Sequence, residues 1–239
     1  MNQTATGKLW GVGVGPGDPE LLTLKAKRIL ETVDCIAVPR SAEGRDSTAL
    51  AIAAGAVDID KPIIDLVFPM SFDESVLGEG WAVALASLLE ALAAGKQVAF
   101  VTLGDPTVYS TYMYLHRSVL AAGHAAEIIP GITSFCAAAA RAGISLAENR
   151  ETLAVIPAAY ESGDLDAVLD SFDNVVLMKV ARRLGEVRRT LARHGLEDKS
   201  ILVSRCGQSD ELVETDLACL EGRKLSYFTT LIVKKGSSE

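Results

Sequence analysis

Three short turns hold the residues best suited to chemistry. "GVGVGPGDPE" (11–20) sets glycines ahead of Asp18, "LGDPTVYSTY" (103–112) sets Asp105 near Tyr109 and Tyr112, and "IIPGITS" (128–134) ends on Thr133 and Ser134. A carboxylate with phenols a few residues away can accept a proton, and hydroxyls beside bare backbone can hold a polar ligand. A glycine-rich turn behind a strand first suggests phosphate binding. The dinucleotide pattern Gly-x-Gly-x-x-Gly fails, because its third glycine falls on Pro16 or Asp18, and no Lys-Ser/Thr follows at P-loop spacing. Asp18 would also repel a phosphate. It precedes Pro19, a common start for a helix. The glycines then read as places where something bulky nears bare backbone, at the strand end where open α/β sheets take ligands.

The elements that must carry these turns alternate along the chain. Strands are expected at "KLWGVGV", "DCIAVP", "IIDLVF", "QVAFVTL" and "AAEIIP". Between them lie helices at "PELLTLKAKRILETV", with Leu21, Leu24, Ile29 and Val33 on one face, at "STALAIAAGA", ended by Gly55, at "ESVLGEGWAVALASLLEALAAG", stopped by a left-handed Gly95, and at "TVYSTYMYLHRSVLAAG". After "PGITS" a second set follows: helix "SFCAAAARAG", strand "TLAVIP", helix "DLDAVLDSF", strand "NVVLMKV", helix "RLGEVRRTLARHG", strand "KSILVSR", then a tail of strand, short helix and strand. This alternation predicts an α/β protein of two α/β domains, 1–129 and 130–239, with a cofactor cleft between them.

Composition narrows the classes. The 239 residues are 49% apolar with a formal net charge of −8, which argues for a packed core and against a nucleic-acid or anionic-membrane binder. The start "MNQTATGKLW" lacks the pattern of a secretion signal, and the apolar runs are too short to span a bilayer. Cys35, Cys136, Cys206 and Cys219 lie far apart beside only three histidines, so no metal site is expected. The cysteines read as small buried apolar side chains of a reduced, cytoplasmic protein.

In this order and at these spacings the three turns resemble those of the tetrapyrrole methylase family, with its "VGxGPGDP" loop, "GDP" turn and "PGITS" turn. The resemblance covers essentially the whole chain. It implies a two-domain α/β homodimer that binds S-adenosylmethionine in the cleft and transfers its methyl group to carbon atoms of a macrocycle. "GKLWGVGVGPGDPELLTLKAKRIL", "VFPM" and "VSRCGQSDELV" are most similar to the branch acting on carbon 20 of precorrin-2 or cobalt-factor II. A methylase for another precorrin carbon, the diphthamide or ribosomal-RNA branches, and a non-catalytic nucleotide-sensing module are the competing readings.

The resemblance also assigns residues. Pro16, Leu103, Gly104, Asp105, Val108, Thr133, Ser134, Met178, Cys206 and Thr229 match cofactor positions, although the family more often has "PALI" where Thr229 and Thr230 stand. A sulfonium is welcomed by carbonyl oxygens, here those of Leu103 and Gly104. Asp105 and Tyr109 are the catalytic candidates for taking a proton from the methylated carbon, with Tyr112 and Asp18 behind them. Gly15, Asp18, Arg40 and Arg45 are assigned to the acidic tetrapyrrole substrate, with Arg117, Lys179, Arg182 and Arg205 as further counter-charges. Each has an ordinary alternative: Met178 as core, Thr133 or Ser134 as a helix cap, Asp105 as a turn former, the basic residues as solvated charges.

Overall fold

The computed structural model describes residues 7–40, 46–68, 74–158 and 165–236, with backbone alone over 74–79. The chain divides into two compact units, Met1–Thr133 and Ser134–Glu239, against the expected 1–129 and 130–239.

In the first unit, β1 (Lys8–Gly13), β2 (Cys35–Arg40), β3 (Ile63–Val67), β4 (Gln97–Thr102) and β5 (Ala125–Ile129) form one parallel sheet in the order β3-β2-β4-β1-β5. The near-continuous apolar run of β4 follows from burial on both faces, since Val98 to Val101 are wholly buried. Val12, Ile36 and Val101 pack on one face with α1 (Leu24–Thr32) and α2 (Thr48–Ala56). Leu9, Val98 and Phe100 pack on the other with α3 (Glu74–Ala93) and α4 (Tyr112–Ala121). From β1 the chain moves to β2 on one side, and from β4 it moves to β5 on the other. The connections part between the adjacent β1 and β4, so the carboxyl ends of these two strands form the switch point where such sheets take ligands.

Several local expectations change. Asp18 does act as a cap, accepting the Glu20 amide at 2.9 Å, but it caps only a 3-10 turn, Pro19–Leu21. Thr23 then starts α1 afresh, accepting the Ala26 amide at 3.2 Å. The restart turns the buried face to Ala26, Ile29 and Leu30 and leaves Leu24 87% exposed. Gly55 lies inside α2 and does not end it; a β-carbon there would come within 2.5 Å of Pro19 Cγ, so the glycine lets the 3-10 turn pack closely. Gly95, at φ +80°, does close α3. α4 begins at Tyr112, leaving 107–111 as loop.

The second unit holds β6 (Leu153–Pro157), β7 (Asn174–Met178), β8 (Ser200–Ser204), β9 (Leu212–Glu214) and β10 (Thr229–Lys234), in the order β6-β7-β10-β8-β9. Only β6 and β7 run parallel; β10 inserts antiparallel between β7 and β8. Helices α5 (Ser134–Ala142), α6 (Leu165–Ser171) and α7 (Leu184–Arg193) complete it. Cys35 and Cys206 are buried as expected, whereas Cys136 and Cys219 are exposed, on the outer side of α5 and in the 3-10 turn Leu217–Leu220. No helix among the described residues is long and apolar enough to cross a membrane.

Candidate functional site

The glycines of the three turns pack against each other. A β-carbon on Gly13 would lie 2.6 Å from the Gly104 carbonyl oxygen and 2.7 Å from the Gly131 nitrogen, and one on Gly131 would strike the Gly104 oxygen and the Gly13 backbone. Gly15, at φ +80°, pairs with Gly104: the Gly104 amide donates to the Gly15 carbonyl at 2.8 Å, and the reverse bond is 3.3 Å. Gly11 makes room for the Tyr112 ring. The bulky partners of these glycines are therefore neighbouring backbone and a core tyrosine, and the expectation of direct ligand approach is corrected at Gly11 and Gly13. Gly104 differs. Its φ of +68° demands glycine, but a β-carbon there would meet nothing nearer than the Ile132 carbonyl at 3.9 Å, so its outer side is open.

Asp105 ties the cluster together. It is buried, and its Oδ1 accepts the Thr107 amide at 2.8 Å and the Thr107 hydroxyl at 2.5 Å, while Oδ2 accepts the Gly131 amide at 3.0 Å. Of about four lone-pair sites on a carboxylate, three are taken. Val108, half-buried, closes the same turn through its amide to the Asp105 carbonyl at 3.3 Å. Tyr109 is 47% exposed with φ +48°, a left-handed backbone that is strained for a bulky side chain. Tyr112 is no proton acceptor: it is wholly buried, donates to the Glu127 carbonyl at 3.2 Å and shares a bond with His116 Nδ1 at 3.0 Å. Burial pushes its phenol well above its ordinary pKa. Leu103 packs half-buried on the core, Gly15 and Pro16 are buried, and Asp18 is half-buried at the end of the first turn.

Thr133 Oγ1 is buried and has no hydrogen-bond partner among the described residues, which removes the helix-cap reading for this hydroxyl. Ser134 begins α5. The three turns contain no lysine or arginine. An orphaned hydroxyl, a glycine open on its outer side and turns without lysine or arginine fit a polar or cationic ligand better than a phosphate.

In the second unit, Met178 ends β7 half-buried opposite Thr230, and its carbonyl accepts the Ala158 amide at 2.7 Å. Cys206 lies buried between two left-handed residues, Arg205 at φ +53° and Gly207 at φ +76°. Thr229 is buried with its hydroxyl used internally, donating to the Ser226 carbonyl at 2.6 Å and bonded to Ser204 Oγ at 2.9 Å. Gln208 is a further polar residue of this unit. Its Nε2 is buried without a partner among the described residues, in the strained loop after β8. The motif "RCGQ" alone carries no signal for it.

Among the basic candidates, Arg40 at the end of β2 is held by Asp65 of β3 at 2.5 Å, so its charge is largely answered. Arg45 falls outside the described residues. Arg117 lies over the Tyr114 ring at 5.1 Å, Lys179 over Tyr227 at 5.3 Å, and Arg205 pairs with Asp210.

A parallel α/β sheet whose switch-point turns are locked by mutual glycine contacts, joined to a mixed-sheet unit, defines a two-unit α/β protein of the kind that takes ligands at a switch point. The chain matches the family described as Tetrapyrrole (Corrin/Porphyrin) Methylases over residues 8–220 and belongs to it. It is similar to the cobalt-precorrin-2 C(20)-methyltransferase of Salmonella typhimurium, 36% identical over 96% of this chain and 97% of that protein. It is also similar to the precorrin-2 C(20)-methyltransferase of Sinorhizobium sp, 33% identical over 98% and 97% of the two chains. In fold it is similar to a cobalt precorrin-4 methyltransferase (TM-score 0.75, 20% identity, covering 98% and 97%). A second fold neighbour is the uroporphyrin-III C-methyltransferase of Thermus thermophilus complexed with S-adenosylhomocysteine (TM-score 0.68, 22% identity, covering 95% and 97%).

Proposed function

We propose that this protein transfers the methyl group of S-adenosylmethionine to carbon 20 of precorrin-2, or of its cobalt form, in the building of the corrin ring of cobalamin. The observation that carries this is the end-to-end likeness to the two C(20)-methyltransferases, laid over an intact three-turn cluster. The named relatives differ on cobalt, and both forms are kept as substrates.

When bound, S-adenosylmethionine supplies an electrophilic methyl group on a positively charged sulfur. Leu103 and the open side of Gly104 would lie against that charge, the Gly104 carbonyl itself being spent on the Gly15 amide, and the Thr133 hydroxyl, with Pro16, Val108 and Ser134, would hold the polar remainder. Met178, Cys206 and Thr229 stay as cofactor candidates of the second unit; for Thr229 the spent hydroxyl limits this to packing. The carbon to be methylated is electron-rich and needs no strong base to attack. Positioning it about 3 Å from the methyl group can carry much of the rate. The proton lost afterwards would go to the Asp105 carboxylate, or to the Tyr109 oxygen as that half-exposed phenol passes its own proton to solvent. The strained backbone of Tyr109 supports that role, because such strain concentrates at functional positions. Gly15, Asp18, Arg40 and Arg45 remain the substrate-side candidates, and Asp65 already answers much of the Arg40 charge. The protein works as a cytoplasmic homodimer in this reading.

The test is incubation with S-adenosylmethionine and either metal-free precorrin-2 or its cobalt complex, followed by mass spectrometry and carbon NMR of methyl-labelled product. One added methyl at carbon 20 is expected. Methylation at another carbon, or none with either substrate, overturns the proposal.

A further inference from the structure

The second unit contains a groove of about 440 Å³, a volume in the range of small-molecule sites, that shares no residue with the three-turn cluster. One wall is the 3-10 turn Val180–Arg183 running into α7, and the other is the turn carrying Leu220, Glu221 and Arg223. Small residues, Ala181, Gly185 and Ala192, leave the space open along α7.

Its charge runs against the rest of the molecule. The whole chain carries −8, yet the lining holds four arginines, Arg182, Arg188, Arg189 and Arg223, against two glutamates, Glu197 and Glu221. Arg188 is set into the floor, its side chain 19% exposed, and is held by Glu197 at 3.3 Å and more loosely by Glu221 at 3.8 Å. Arg182, Arg189 and Arg223 have no ion-pair partner among the described residues. Elsewhere in this unit Arg141, Arg183, Arg193 and Arg205 each meet a carboxylate. The backbone fixes the arrangement. Gly222, at φ +71°, turns the chain so that the Arg223 amide bonds to the Leu220 carbonyl at 3.1 Å, and Lys179, at φ +61°, starts the turn that carries Arg182.

Four guanidinium groups around one opening repel each other; among the described residues Arg188 is paired with two glutamates, while Arg189 and Arg223 feel Glu186 and Glu214 only at longer range. A ligand with two or more oxyanion groups relieves that repulsion and takes paired N–H bonds from each fork. We propose that this groove is a binding site for a small polyanion, bearing phosphate or carboxylate groups, held by Arg182, Arg188, Arg189 and Arg223. This goes beyond the methyl-transfer reading and does not depend on it.

The probes are inorganic pyrophosphate and citrate, each titrated calorimetrically into the full chain at matched ionic strength, with thermal melting in parallel. At least one should bind at one site per chain and raise the melting temperature, as any ligand of the folded state must. The triple variant R182A/R189A/R223A should bind it about tenfold or more weakly, given the usual worth of charge-assisted hydrogen bonds. The exposed-arginine control R28A/R150A should bind it normally. Binding of pyrophosphate alone identifies a phosphate ligand; binding of citrate alone identifies a carboxylate. Should the triple variant lose its circular-dichroism spectrum, R189A alone serves. Absence of saturable binding by either probe, or equal loss in the control, overturns the proposal.

Discussion

The Gly131 amide donates to Asp105 Oδ2 at 3.0 Å, so one carboxylate joins the turn after β4 to the turn after β5. Its other oxygen holds the Thr107 amide and hydroxyl. Asp105→Asn leaves one acceptor oxygen where two are used. The variant should lose about 1.5–3 kcal/mol of stability, the usual worth of a charged hydrogen bond, and should bind S-adenosylhomocysteine more weakly. Urea unfolding and calorimetry check both. If Asp105 served only as proton acceptor, the variant would keep stability and affinity and lose turnover alone.

The glycine cluster separates space from conformation. Gly13→Ala drives a β-carbon against the backbone of Gly104 and Gly131, which cannot move aside as a flexible side chain can. It should destabilise by about 3 kcal/mol or more, beyond ordinary overpacking. Gly104→Ala has room but keeps φ +68°, so it should cost only about 1–2 kcal/mol while weakening S-adenosylhomocysteine binding. Gly104→Val should weaken binding severely. A folded Gly104→Val protein with unchanged affinity would contradict the open-side reading.

The first sheet was legible because its central strands β1, β2 and β4 are buried on both faces and its turns carry glycine. The apolar run "QVAFVTL" and the cap at Gly95 follow from local chemistry. Sequence pattern could not show that β10 runs antiparallel between β7 and β8, since an apolar strand reads alike in either direction. It also misread the glycines. A bare backbone demanded by another glycine 27 or 91 residues away leaves the same mark as one demanded by a ligand, and only the contact among Gly13, Gly104 and Gly131 separates them. Tyr112 was placed with the chemistry because it lies near Asp105 in sequence; the loop 107–111 before α4 turns it into the core.

Acid should unfold this protein in a defined direction. Glu151 accepts from Lys234 Nζ at 2.5 Å, the Glu148 amide at 2.8 Å and Asn174 Nδ2 at 2.9 Å. The Lys234 bond first, then the other two, hold its carboxyl below the ordinary range, and Glu127, Asp166 and Asp173 shift the same way. Their stabilisation is complete above the unfolded carboxylate pKa and is lost as pH falls through the lower folded values. Glu151→Gln should therefore be less stable at neutral pH, and its stability should fall less steeply below about pH 5 than that of the parent. Urea midpoints across that window check it; parallel curves would refute it.

Thr133 gives a test in which stability and binding move apart. Its hydroxyl is buried with no partner among the described residues, and an unpaired buried hydroxyl usually costs about 1–3 kcal/mol. Valine has nearly the same shape and no polar atom. Thr133→Val should keep or raise the melting temperature of the ligand-free protein. If the missing partner is a polar group of the cofactor, the same change should weaken S-adenosylhomocysteine binding by about three- to tenfold, the size of one neutral hydrogen bond. Melting without ligand and calorimetry with it measure the two effects separately. A variant that melts lower yet binds unchanged would mean that the hydroxyl serves the fold, and the turn after β5 would lose its place in the cofactor site.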